Sequence, residues 1–402
     1  MITPRIKTLI GFSYHFASLG YATAVRWSKK HQKLYISGRY SYYLSCFWLC
    51  VTSLYAAAEF AILWCKLVSS DDRGDDDGFN VLYRLVDIHD HGLLITSVAF
   101  TTPYLKHRDV FVQAFNQLLT LDGYLTKWLT PPSRKSNIQS ITPNFERRYI
   151  TIHILLTIVL LTVIPGFGFL LFNEVEPTHR FLLTVFNTKV VFEPRFLPHA
   201  VIFIIFTHQV TVHASNGILF IFLYLCSTTV WLKLVTPVKI RNNKAYQTCH
   251  GPMSIDQVAL VYKCQQVLTA TMNGFLNNLW IASHLALAVL VTTVGVVVTI
   301  RHHTEIGYPD CFLVPVLVLN TLSIVYAECE YMAQLDEAGG QVKKAICKNG
   351  ASRNSLDRRV GNSLLPIRLR MVGSFCFVDR GVLLGVLGSV SSNVVNLLIL
   401  SE

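Results

Sequence analysis

Apolar residues in this chain gather into stretches of around twenty, separated by polar and mostly basic segments. The pattern has neither the period of two of a half-buried strand nor the short alternating segments of an outer-membrane barrel. About twenty apolar residues in a helix cross the hydrocarbon core, so the pattern predicts an all-α, polytopic membrane protein. The first run, "YYLSCFWLCVTSLYAAAEFAILWCKLV", covers residues 42–68. A second, 79–105, is interrupted by Arg84, Asp87, His89, Asp90 and His91, and a third covers 149–172. The fourth stays apolar from Leu197 to Val235, about twice what a bilayer requires. Runs at 274–300, 311–329 and 381–400 bring the predicted spans to seven.

Loop charges orient these spans, because basic residues concentrate on the cytoplasmic side. The N-terminal segment carries Arg5, Lys7, Arg26, Lys29, Lys30, Lys33 and Arg39 with no acid, so it belongs inside. The next loop holds Asp71, Asp72, Asp75, Asp76 and Asp77 against Arg73 and belongs outside. Segment 331–372 carries Lys343, Lys344, Lys348, Arg353, Arg358, Arg359, Arg368 and Arg370. Splitting the fourth run into two spans would place that basic segment outside. One long fourth helix projecting into the cytoplasm is therefore expected, with the N-terminus cytoplasmic and the C-terminus extracellular. The apolar content of "MSIDQVALVYKCQQVL" predicts further helices packed together below the membrane. The chain then divides into a six-helix region, 1–330, and an anchor segment with the seventh helix, 331–402.

Composition supports the membrane class: of 402 residues, 52% are hydrophobic and only 15% charged. A net charge of +11 would suit nucleic acid in a soluble chain, but here the basic residues sit in loops and no aromatic-basic motif accompanies them. The first 41 residues are basic and mixed, unlike a signal peptide. The ten cysteines form no regular framework. Cys65 and Cys311 fall near the outer face, and the sequence leaves open whether they are bridged or free. The histidines are dispersed, and GxSxG, HExxH and Gly-rich phosphate-loop patterns are absent, so neither enzymatic chemistry nor a cofactor or metal is expected.

The final run, Gly381 to Leu400, lacks any charge yet carries a row of small and polar residues: Gly385, Ser389, Ser392, Asn393 and Asn396. Asparagine facing lipid is costly, so this row faces either a water-filled path or a neighbouring helix. In the second run Tyr83, Asp87 and His91 are spaced by four, with Asp90 beside them. They form either a polar pocket for a ligand bearing hydroxyls or an amine, or an interfacial cluster in which Arg84 pairs with Asp87. His208 and His213, five apart, lie on different helix faces, which disfavours a shared metal. His208 is either a hydrogen-bonded interior residue or a ligand contact. In the fifth run Asn277, Trp280 and His284 share a face, and His284, like Asn320 in the sixth run, is a further pocket candidate.

The ending "GSFCFVDRGVLLGVLGSVSSNVVNLLIL", together with the span count and orientation, resembles the insect gustatory receptor family. In that family a small residue, a phenylalanine and an Asp/Asn-Arg step lead into the last helix. That helix closes on Thr-Tyr, five apolar residues, then Gln-Phe. Here Ser392 stands for the threonine, Asn393 for the tyrosine, Ile399 for the glutamine and Leu400 for the phenylalanine. The resemblance implies a tastant-gated, non-selective cation channel, a homo- or hetero-tetramer with other gustatory receptors in the plasma membrane of gustatory neuron dendrites. It further implies a pore lined by the last helix (Gly385, Ser389, Ser392, Asn393, Asn396, Ile399 and Leu400), a shared cytoplasmic anchor, and a ligand pocket in the outer half. Asn396 takes the position at which the family's outer gate presents an apolar side chain, so either the gate lies at Ile399 or Leu400, or this subunit works with others. The departures from the motif suggest a bitter-type member. Seven helices also suit a G-protein-coupled receptor or a transporter, but the former has the opposite orientation and no internal repeat supports the latter.

Overall fold

The computed structural model describes residues 2–18, 24–69, 98–99, 101–129, 144–154, 197–236, 254–276, 280–301, 310–350, 359, 361–372, 376–377 and 380–400. The longer helices are α1 (Pro4–Ser18), α2 (Arg39–Ser69), α3 (Arg108–Leu129), α4 (Leu197–Val235), α5 (Ile255–Leu276), α6 (Trp280–Arg301), α7 (Asp310–Gly350) and α8 (Arg380–Leu400). Two small antiparallel pairs, β1 (Val25–Ser28) with β2 (Lys33–Ile36) and β3 (Arg370–Val372) with β4 (Cys376–Phe377), complete the described elements.

Local chemistry explains several boundaries. Thr3 Oγ1 accepts the Ile6 N–H at 3.3 Å with Pro4 at the first helical position, a favourable start for α1. Ser254 and Gln257 form a reciprocal capping box before α5: Ser254 Oγ accepts the Gln257 N–H at 3.3 Å, and Gln257 Oε1 accepts the Ser254 N–H at 3.1 Å. Strand β2 is pinned to α3 because Asn116 both donates to the Leu34 carbonyl and accepts its N–H, at 2.8 and 3.0 Å. Asn273 does the same for the chain before α8, donating to the Arg368 carbonyl and accepting the Arg370 N–H, each at 3.0 Å. These side chains satisfy backbone groups that would otherwise be unpaired.

Four described helices are long and apolar enough to cross a membrane: the stretches Ser215–Val235, Ile281–Arg301, Val314–Cys347 and Gly381–Ile399. Their burial differs sharply. The α4 stretch is 94% buried within the protein, whereas that in α8 is 11% buried. Around α4 pack α1, α3, α5 and α7. Phe111 and Phe115 of α3, Phe220 of α4 and Phe275 of α5 meet there, with neighbouring ring centroids as close as 4.9 Å. Each buried phenylalanine is worth about 1.5–3 kcal/mol, so this cluster is a main source of cohesion.

The outer faces of the sheathing helices carry charge, as at Arg5, Asp109, Lys127, Asp256 and Lys263. The exposed residues of α6, the first half of α7 and α8 carry none before Arg301 and Glu330, among them Ile300, Phe312, Leu319, Tyr326 and Leu384. Charged outer faces suit water and uncharged ones suit lipid or another chain. The 39 residues of α4 extend about 58 Å, against a hydrocarbon core of about 30 Å. The 41-residue α7 likewise extends about 61 Å. The apolar run 274–300, expected as one span, contains the end of α5 at Leu276 and the start of α6 at Trp280.

Candidate functional site

The last helix owes its position to valines. Val386, Val390 and Val394, spaced by four, are its buried residues, and Val390 and Val394 pack with Val294, Val297 and Val298 of α6. At the far end, Arg301 Nη1 donates to the Leu398 carbonyl at 3.2 Å. That carbonyl is one of the last four of α8, which have no partner within the helix, so α6 supplies a cap to α8.

At 3.6 residues per turn, the rest of the α8 circumference divides in two. About a third of a turn to one side of the valine row lie Gly385, Ser389, Ser392 and Asn396, all exposed. About a third of a turn to the other side lie Leu384, Gly388, Ser391 and Val395, also exposed, with Leu384 at 71%. Leu387, likewise exposed, lies between this second row and the valines, so the second face is largely apolar, with Ser391 as its one hydroxyl. Asn393 is exposed at the edge between the valine row and the polar row. Ile399, 62% exposed, points opposite the valines, between the two open faces. Ser389 Oγ donates to the Gly385 carbonyl at 2.9 Å, which satisfies its hydroxyl within the helix. The side chain of Leu400 lies outside the described residues. The helix thus has one face committed to its own chain, one small and polar face that carries the amide of Asn396, and one largely apolar face. The last two are open in a single copy.

Between α6 and α7 the packing is tight at two levels. A Cβ placed on Gly295 would collide with the Val318 side chain. Eleven residues earlier on α6, His284 Nδ1 stands 2.8 Å from Glu328 Oε2, with both residues buried. These two contacts fix an antiparallel register that sets Thr292 opposite Asn320. The Thr292 hydroxyl and Asn320 Nδ2 are buried and hydrogen-bond to none of the described residues.

The expected site residues are therefore distributed. Tyr83, Asp87, Asp90 and His91 lie outside the described residues, as do Asn277 and the side chains of His208, His213 and Trp280. His284 stands against a carboxylate of its own chain, while Asn320 Nδ2 hydrogen-bonds to none of the described residues. Two participants were not singled out by sequence, Glu328 and Arg301. Glu328 could have been noticed as a carboxylate inside the 311–329 run, and Arg301 as the first charge after a long apolar stretch. No group of three or more His, Cys, Asp or Glu side chains suited to a metal occurs among the described residues.

No protein-family profile matches the chain, and no curated protein does either. Solved structures do. The insect olfactory receptor OR5 from Machilis hrabei superposes with a TM-score of 0.58 at 11% identity, covering 98% of this chain and 96% of that one. The same receptor in complex with eugenol gives 0.52 at 11% identity, covering 98% and 97%. Nearly the whole chain therefore shares the fold of an insect olfactory receptor, and four of its described helices are long and apolar enough to cross a membrane.

Proposed function

We propose that this chain is a subunit of a tastant-gated, non-selective cation channel, a gustatory receptor of bitter type in the plasma membrane of gustatory neuron dendrites. The observation that carries the reading is the three-way division of α8. A helix with one face on its own subunit, a polar face and a largely apolar face suits the centre of a ring, where the polar faces line water and the apolar faces meet neighbouring copies or lipid. Small residues such as Gly388 and Ser391 on the apolar face suit close contact between copies. The fold shared with an insect olfactory receptor supports the same reading and does not favour a G-protein-coupled receptor.

In a tetramer, Ser392 and Asn396 contribute stacked polar rings, with Gly385 allowing close approach and Asn393 at the margin. An asparagine ring resists dewetting more than a valine ring, so the gate is assigned to Ile399 or Leu400. A row on α5, Leu260, Lys263, Val267, Ala270 and Gly274, is exposed and apolar apart from Lys263, with exposed Leu365 held beside it by a hydrogen bond from Gln266. This row supports contact between copies on the cytoplasmic side, with the N-terminus inside and the C-terminus outside. The tastant pocket is assigned to Tyr83, Asp87, Asp90 and His91, with His208 and Asn320 as further contacts. His284, committed to Glu328, would contribute only through that pair.

Cysteine accessibility tests the pore assignment. In Ser392→Cys and Asn396→Cys channels, a charged thiol reagent should block evoked current, while Leu384→Cys and Val395→Cys should be insensitive. Block from the leucine and valine positions alone would place the pore on the wrong face. An unchanged dose–response in Asp87→Ala would remove the second-run pocket.

A further inference from the structure

The pairing of His284 with Glu328 has no role in the pore or pocket as assigned. It is also expensive. Glu328 is 2% exposed, and its second oxygen, Oε1, accepts no hydrogen bond from the described residues. A buried carboxyl–imidazole pair with an unsatisfied oxygen is a poor source of stability, and apolar side chains of similar size often serve as well. The surroundings would accept such a replacement, since Ile281, Leu285, Ala288, Ile324 and Val325 are all buried nearby along the same helices. What a polar side-chain pair adds over hydrophobic contact is a defined arrangement that can be made or broken.

Its location gives that property a use. Helix α6 packs against both α7 and α8, which also touch each other. Toward α8 it presents Val294, Val297 and Val298, and its last residue caps the α8 backbone. Toward α7 it has two fixed points, the close approach of Gly295 to Val318 and the His284–Glu328 pair, eleven residues or about 16 Å apart. The first is steric and cannot be released without separating the helices. The second is a contact between two polar side-chain ends and can. Helix α6 also packs against β3, in the strand pair that leads into α8. Releasing the pair therefore frees α6 to pivot about Gly295 and carries both ends of α8 with it.

Resting on the channel reading above, we infer that His284 and Glu328 form a gating latch. They are positioning residues that hold α6, and through it the pore helix, in the arrangement seen here.

The test is recording from cells expressing the full chain, comparing wild type with Glu328→Gln, His284→Gln, the double variant and the exchanged pair His284→Glu/Glu328→His. Surface labelling confirms that each variant is present, and His284→Gln is read if Glu328→Gln does not reach the surface. Each neutralised variant should raise basal current and lower the half-maximal tastant concentration about fivefold or more, in the range of ordinary coupling between sites. The double variant should match the single ones rather than multiply them, and the exchanged pair should move back toward wild type. Normal wild-type current with unshifted variants, multiplicative effects, or smaller currents at an unchanged half-maximal concentration would each overturn the latch alone. A surface-expressed wild type that passes no current would overturn the channel reading and the latch with it.

Discussion

Asp122 on α3 offers a test of how the helices around α4 are held together. Its carboxylate is 4% exposed and accepts the Trp231 indole N–H at 2.8 Å and the Ile2 backbone N–H at 2.9 Å. Ser227 donates more weakly, at 3.4 Å. One side chain thus joins the start of the chain, α3 and the buried half of α4. Hydrogen bonds to an ionised group are worth about 1.5–3 kcal/mol each, and removing the acceptor leaves the buried donors unpaired. Asp122→Ala should therefore cost about 3–5 kcal/mol. Asp122→Asn keeps one acceptor oxygen but turns an NH2 toward a second donor, and should cost about half as much. Trp231→Phe deletes one donor and also leaves a core cavity, so in the Asp122→Ala background it should keep its packing cost and lose only the hydrogen-bond part. The assay is the thermal transition of detergent-purified protein, read by loss of the assembled species in size-exclusion chromatography. An Asp122→Ala protein melting with wild type, or Trp231→Phe and Asp122→Ala costs that add in full, would refute the reasoning.

Gly295→Val should destabilise the α6–α7 contact by about 1–3 kcal/mol through overpacking, and Val318→Ala should relieve much of the loss; a melting temperature equal to wild type would contradict the close approach. Asn396→Val should reduce basal current and slow opening by making the outer path easier to dewet, as read by patch recording; unchanged currents would remove Asn396 from the conduction path. Tyr262 donates its hydroxyl to the Leu365 carbonyl at 3.0 Å, and burial pushes its phenol up to about 12. Its folded value exceeds the ordinary value near 10, so its contribution is complete below about pH 10 and is lost as pH rises toward 12. Tyr262→Phe should flatten the alkaline part of a stability–pH profile, and an unaltered slope would count against this.

Long helices are legible in the sequence because apolar runs of bilayer length leave few alternatives. The run from Leu197 to Val235 appears as the single helix α4 with the same ends. The small and polar row of α8 is also legible from spacing alone, since Gly385, Ser389, Ser392 and Asn396 repeat at helical intervals. What spacing lacks is the third dimension. By spacing Asn393 belongs with Asn396, yet it borders the valine row, because which third of the helix is buried depends on α6. His284 reads as a free pocket residue because its partner lies 44 positions away, and only the antiparallel register brings Glu328 to it. The same holds for Asp122 and Trp231, 109 positions apart. The β1–β2 pair is hidden inside a basic segment whose charge is informative about orientation and silent about strands. The division between α5 and α6 falls at Asn277 and Asn278, two polar residues flanked on both sides by apolar ones, so the run reads as one span despite them.

The central claim is that copies of this chain surround an aqueous pore lined by the polar face of α8. Excised-patch recording from cells expressing the chain alone, with cation substitution and a tastant panel, tests it most directly. The account predicts a tastant-evoked current that persists without cytosol, passes sodium, potassium and caesium with little preference, and is blocked through Asn396→Cys. A surface-expressed chain that responds to tastant only through a cytosolic pathway, with no current in the isolated patch, would contradict it.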